Sequence, residues 1–248
     1  SMICGRRCCH AGGVTYGKWT WHVNNNQPNR DQISDIRQAL RRPLPGLAGQ
    51  MQMMPQPRPG MERGFDPAHC PREGGVLLLL YPKAGELTLV LTRRADTLHH
   101  HRGQVSFPGG AWEPSDADFV QTALREAQEE LGIQPETLTI LGTLTPLYIP
   151  PSDYRIYPAV AYTPQRPDFR PDPCEVALVL EMPLAELTSG RNIHTETWEL
   201  RGYPVEVPFF EVDGHKVWGA TAMVLGEFRA LMRSAAIPSP QPLAEQTP

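Results

Sequence analysis

No apolar run in this 248-residue chain approaches the roughly 18 residues of a membrane span, and the longest, Val76 to Leu80, has the length of a strand. Excess basic charge is also missing. The formal net charge is −4, and no strip of interleaved basic and aromatic residues occurs, which argues against nucleic acid or an anionic membrane as partner. Arg6 and Arg7 have no apolar stretch behind them, so nothing resembles a secretory signal. Five cysteines are too few and too odd in number for a disulfide framework. Three of them, Cys4, Cys8 and Cys9, lie beside His10, but the spacing fits no common zinc knuckle, and free thiols are expected. No internal repeat is visible. The expectation is a cytoplasmic protein.

The chain divides by composition. Residues 1–29 lack periodicity and read as a leader or irregular arm. Arg30 to Arg42 places Ile33, Ile36 and Leu40 at helical spacing. Pro43 to Pro71 is rich in Pro, Met, Gln and Arg and reads as an extended connector. The core runs over 72–233, and the polar, Pro-rich 234–248 reads as a disordered tail. Within the core, Gly75 to Tyr81 and Glu86 to Arg93 predict a hairpin across Pro82-Lys83-Ala84-Gly85. Further strands are expected at Gln104–Phe107, Leu138–Leu144, Ile156–Tyr162 and Glu175–Glu181. A late hairpin is expected from Val205–Phe210 and His215–Trp218, and a closing helix over Ala220–Arg233. Tyr148 to Tyr154, with Pro150-Pro151 inside, reads as a rigid loop. Strands and helices intermix without a βαβ rhythm, so the fold class is α/β (α+β) with a mixed sheet between helices.

The chemistry concentrates in Asp118 to Leu131, a helix stopped by Gly132 and capped from Ser115 or Asp116. Val120, Ala123, Leu124, Ala127 and Leu131 form its apolar stripe. Glu126, Glu129 and Glu130 lie off that stripe at i, i+3 and i+4, with neighbouring Cβ atoms roughly 5–6 Å apart. The last two occupy the final turn, where the helix dipole disfavours negative charge. Carboxylates so placed repel unless a cation sits among them, and hard divalent ions prefer oxygen ligands. A solvated acidic face is the bland alternative. Upstream, Phe107-Pro108-Gly109-Gly110 ends a strand in a loop whose backbone can approach a ligand closely. A cation there would neutralise a diphosphate and activate water, with a carboxylate taking the proton.

Arg125-Glu126-Ala127-Gln128-Glu129-Glu130-Leu131-Gly132-Ile133 resembles the second half of the Nudix hydrolase box. In the first half, Asp116 takes the place of the box's first Glu, and one extra residue precedes Arg125. Asp118 is the alternative partner of Arg125. The coenzyme A diphosphatase branch of that family is similar further upstream, through Val90-Leu91-Thr92-Arg93-Arg94-Ala95, Gly103 and Phe107-Pro108-Gly109-Gly110, with His99 where the branch has a second Arg. Val217 to Ala222 extends the likeness.

The resemblance implies the Nudix α/β/α sandwich and Mg²⁺ or Mn²⁺ as cofactor. Glu126, Glu129, Glu130 and the carbonyl of Gly110 would hold the metal, with Arg125 orienting the cluster and Asp116 supporting it. Arg94, His99 and Gly109 would contact substrate. Either Glu126 or a later glutamate such as Glu175 would serve as base, although Glu175 also reads simply as the polar start of a strand. The implied substrate is a dinucleotide such as coenzyme A or its acyl derivatives, with ADP-ribose or another dinucleotide as alternative. A non-catalytic nucleotide-binding module is the rival class, and a homodimer is left open as the assembly.

Overall fold

The computed structural model describes residues 27–66, 68–96 and 103–235. The readings for the cysteine cluster, for His99 and for the tail beyond Ala235 fall outside these residues.

A mixed sheet forms the centre. β1 (Arg72–Lys83) and β2 (Glu86–Arg94) make the expected hairpin, with Leu80 opposite Leu89 and Lys83 opposite Glu86. β3 (Val105–Ser106) continues beyond β2, and β7 (Tyr154–Tyr162) runs parallel to β1 on its other side. β5 (Thr139–Thr143) closes that edge, while β6 (Leu147–Ile149) also pairs with β7. β8 (Val176–Pro183) lies antiparallel to β2. A second sheet holds β9 (Ile193–Leu200), β10 (Tyr203–Val212) and β11 (His215–Trp218), so the late hairpin gains a strand.

Alternation along β1 and β2 sorts the core into two layers. Leu77, Leu79, Tyr81 and Val90 pack with Ala123, Ala127 and Leu131 of the acidic helix, α3 (Phe119–Leu131). Leu78, Leu80, Leu87, Leu89 and Leu91 pack on the other face with Val224, Leu225, Phe228 and Leu231 of α5 (Gly219–Ser234). Gly75 brings α3 close to β1. A methyl group there would run into the Phe119 carbonyl and lie 2.8 Å from the Ala123 nitrogen.

Several expectations change. The first helix, α1 (Gln27–Ala39), begins inside the proposed leader and ends before Arg41. The extended connector instead contains α2 (Gly46–Met51) and a 3₁₀ turn, Met61–Phe65. Gly49 makes this possible, since a Cβ there would lie 2.8 Å from the Cα of Glu227 on α5. The rigid loop at Tyr148–Tyr154 is β6, a 3₁₀ turn over Pro150–Ser152 and the first residue of β7. A short helix, α4 (Leu184–Ser189), follows β8. Among the described residues, no helix is long and apolar enough to cross a membrane.

One ion network ties β1 to β8. Tyr81, Lys83 and Arg166 all donate to the Glu181 carboxylate, at 2.8, 2.7 and 2.8 Å. Burial opposes the charge of Glu181, but bonds from Arg166, Lys83 and Tyr81 outweigh it and hold the carboxyl at about 2. A depressed carboxyl stabilises the fold above its unfolded value, and that stability disappears as pH falls toward the folded value. Discounted for the exposure of Lys83 and Arg166, the contribution is about 1–2 kcal/mol. Urea melts of Glu181→Gln are expected to show that loss at pH 7, with the gap from the parent protein closing between pH 4.5 and 2.

Candidate functional site

Asp118 caps α3 by accepting the Gln121 N–H at 2.8 Å, and left-handed Gly132 (φ 69°) ends it. The cap expected at Ser115 or Asp116 moves to Asp118 because Asp116 is occupied elsewhere. Its Oδ1 accepts Arg125 Nε at 3.0 Å, and its Oδ2 accepts Arg125 Nη2 at 3.1 Å and Thr122 Oγ1 at 2.9 Å. A tight turn, with the Asp116 N–H on the Glu113 carbonyl at 2.9 Å, absorbs the additional residue in the spacing. The Arg125 bond holds the Asp116 carboxyl at about 2 against its burial.

Arg125 is the hub. Nη1 donates to Glu126 at 2.9 Å and to Glu129 at 3.1 Å, while Nη2 reaches the Ala111 carbonyl at 2.9 Å. It thus joins the helix to β4 (Gly109–Ala111), a strand where the sequence suggested a loop. β4 pairs antiparallel with β1, with Gly110 opposite Gly75 and Gly109 opposite Val76. The flanking bonds, Trp112 N–H to Glu73 and Leu77 N–H to Pro108, make Gly110 and Gly75 a hydrogen-bonded pair. One lone pair of the Gly110 carbonyl is therefore directed toward β1. A side chain at Gly110 would land on the Glu126 carboxylate, so glycine is what lets Glu126 lie against this strand.

The three glutamates occupy different environments. Glu129 is exposed. Glu126 is half-buried, and burial raises its carboxyl against the pull of Arg125, with Glu129 and Glu175 adding to the rise. Glu130 is only 3 % exposed, unlike a residue of a solvated acidic face. Burial pushes its carboxyl to about 8, against the opposing effect of Arg94. Arg94 Nη1 stands 4.0 Å from Glu130 Oε1. Arg93, one residue earlier on the opposite face of β2, turns instead to Asp96 at 2.8 Å. Among the described residues, neither Glu130 Oε2 nor Arg94 Nε, both buried, has a hydrogen-bond partner.

Glu175 lies just before β8, and its carbonyl accepts the Ala95 N–H at 2.8 Å. That link to the end of β2 brings its carboxylate close enough to raise both Glu126 and Glu130. Its local sequence signals only the start of a strand. The signal that places it here is the pairing of Arg94 with Val176, which is remote in sequence.

Glu126, Glu129, Glu130 and the diglycine backbone offer oxygen donors alone, the set a hard divalent cation takes. The unpartnered, buried Glu130 oxygen and the raised Glu130 carboxyl fit such an ion, because both mark a group lacking a compensating partner among the described residues. Among the described residues, no three acidic or histidine side chains already converge as a metal cage. Glu126 and Glu129 are turned to Arg125, which supplies the compensating charge.

A family model described as the NUDIX domain matches residues 71–204, just over half of the chain. A protein named uncharacterized Nudix hydrolase NudL from Photorhabdus laumondii is 39% identical over 154 residues, covering 62% of this chain and 81% of that protein. The protein of the same name from Pectobacterium atrosepticum is 37% identical over 161 residues, covering 64% and 82%.

Proposed function

The chain belongs to the Nudix hydrolase family, and we propose that this diphosphate hydrolase cleaves coenzyme A or acyl-coenzyme A to 3′,5′-ADP and (acyl-)4′-phosphopantetheine. The observation that carries the reading is the meeting of two motifs. Arg94, from the segment that resembles the coenzyme A branch, stands beside buried Glu130 of the box, and Gly109-Gly110 lies against Glu126. Members of the family generally use divalent metal ions, and Mg²⁺ or Mn²⁺ is the proposed cofactor. Glu126, Glu129, Glu130 and the Gly110 carbonyl are proposed to hold it. When bound, such an ion neutralises diphosphate oxygens and lowers the pKa of water.

The protein's own groups do the rest. Arg94, which stands beside Glu130, is proposed to donate to a diphosphate oxygen. Asp116 fixes Arg125, so that Arg125 steadies Glu126 and Glu129 instead of swinging away. Glu175 has no side-chain hydrogen bond among the described residues, and it is the carboxylate proposed to accept the proton of the attacking water. Loss of a general base typically costs ~10²–10⁴ in rate. Glu175→Gln is therefore expected to lower kcat about a hundredfold with KM nearly unchanged, and equal kcat values would remove Glu175 from this role.

Incubation with Mg²⁺ and a panel of coenzyme A, NADH and ADP-ribose, with products read by mass, tests the substrate. Selective formation of 3′,5′-ADP supports coenzyme A. Preferred cleavage of ADP-ribose would move the assignment to the alternative that His99 represents, and no turnover of any of them would favour a non-catalytic module.

A further inference from the structure

Glu175 closes the loop between β7 and β8, and that loop is built onto the last turn of α3. The Arg170 N–H donates to the Leu131 carbonyl at 2.8 Å, and the Asp172 N–H donates to the Glu130 carbonyl at 2.9 Å. A helix leaves its last four carbonyls without intrahelical partners, and the loop takes two of them here. The approach is close, since a Cβ on Gly132 would lie 3.0 Å from the Cβ of Arg170. Glu130 and the loop therefore share one backbone framework.

Within the loop, Asp172 gathers every N–H from Cys174 to Val176. Its Oδ1 accepts the Cys174 N–H at 2.8 Å, and its carbonyl accepts those of Glu175 and Val176 at 3.0 and 2.8 Å. Aspartate readily bonds the backbone two residues on, and a following proline, here Pro173, favours that turn. On the other side, the Glu175 carbonyl accepts the Ala95 N–H at 2.8 Å, one residue past Arg94. The backbone of Glu175 is thus fixed toward both Glu130 and Arg94, and its carboxylate acts on Glu126 and Glu130 alike. Stability asks little of the Asp172 side chain. Pro173 and Cys174 are exposed, so water replaces the carboxylate on the Cys174 N–H at small cost. What the side chain adds is direction.

We propose that Asp172 is a positioning residue that holds Glu175 in a fixed geometry against the glutamates of α3. The inference rests on Glu175 as the proton acceptor. A misplacement of about 1 Å can cost about a hundredfold in rate, so turnover suffers more than stability when the Asp172 carboxylate is lost.

The test compares Asp172→Ala, Asp172→Asn, Glu175→Gln and the Asp172→Ala/Glu175→Gln double variant. Each is assayed with Mg²⁺ on whichever of coenzyme A, NADH and ADP-ribose wild type cleaves fastest, and amide exchange is followed in the metal-free full chain. Asp172→Ala is expected to lower kcat about tenfold with KM within about twofold. Asp172→Asn, which keeps an acceptor oxygen, is expected to recover most of that loss. In the Glu175→Gln background, Asp172→Ala is expected to change kcat by less than about twofold, because its effect runs through Glu175. Amide exchange at Cys174 and Glu175 is expected to quicken at least about tenfold in Asp172→Ala, with the melting temperature within about two degrees of wild type. Unchanged kcat or exchange in Asp172→Ala, equal losses in both backgrounds, or an Asn variant no better than Ala would each overturn the role of Asp172 alone. Full turnover by Glu175→Gln would overturn the base assignment and this inference together, as would a wild type that cleaves none of the three substrates.

Discussion

Glu130→Gln is expected to lower kcat on the preferred diphosphate at least about a hundredfold while the melting temperature holds or rises. The Glu130 carboxylate is poorly compensated in the fold. Glu130 is 3 % exposed, and among the described residues its Oε2 has no hydrogen bond and Arg94 stands 4.0 Å away. Its carboxyl is raised to about 8 chiefly by burial. A raised carboxyl penalises the folded state as pH climbs from the unfolded value through the folded one, so an amide of the same shape removes a cost at neutral pH. A residue kept for stability would behave oppositely. Steady-state kinetics paired with thermal melting separate the two. A large rate loss without loss of stability is the expected pattern, whereas a melting point lowered in proportion to activity would make Glu130 a structural residue.

The second large effect is on stability. Glu227 on α5 is fully buried and accepts Gln50 Nε2 at 2.9 Å, the Gly46 N–H at 3.1 Å and the Thr145 N–H at 3.2 Å. One carboxylate therefore fastens the start of α2 and the turn between β5 and β6 to the last helix. Glu227→Leu strands two backbone donors and one side-chain donor in the interior, at about 1–3 kcal/mol each before relaxation. A net loss of about 3–5 kcal/mol is expected. That corresponds to a melting temperature lower by about 6–20 °C for a chain of this size. Thermal unfolding followed by circular dichroism measures it directly. A shift of less than about two degrees would mean that these donors find other partners.

Legibility in the sequence followed the range of the interactions. The β1–β2 hairpin, α3 and α5 were legible because their apolar residues recur at strand or helix period within one short window. The box was legible for the same reason, since Arg125 to Gly132 is contiguous. α2 was not legible, because Gly46-Leu-Ala-Gly-Gln-Met51 is six residues long and carries two glycines. Its helix depends on Glu227 and on the close approach at Gly49, both supplied from 177 or more residues downstream. β9 was missed because Ile193 to Leu200 has polar residues on both faces and is fixed by pairing with β10. The same limit applies to Glu175, whose neighbours are assembled only by the fold. Gly74-Gly75 did carry a local sign: two glycines opening an apolar strand mark a close approach, made here by α3 and β4. Asp116 shows the reverse case, where one extra residue looked disruptive and a tight turn absorbed it.

The central claim is that the glutamates of α3 form a divalent-ion site beside the diglycine. Titration of Mn²⁺ into the metal-free protein, with the free ion followed by electron paramagnetic resonance, tests it most directly. Wild type is expected to remove Mn²⁺ from solution near stoichiometrically, and the Glu126→Gln/Glu130→Gln double variant is expected to bind it at least about tenfold more weakly. Equal uptake by the two proteins, or none by either, would contradict the account.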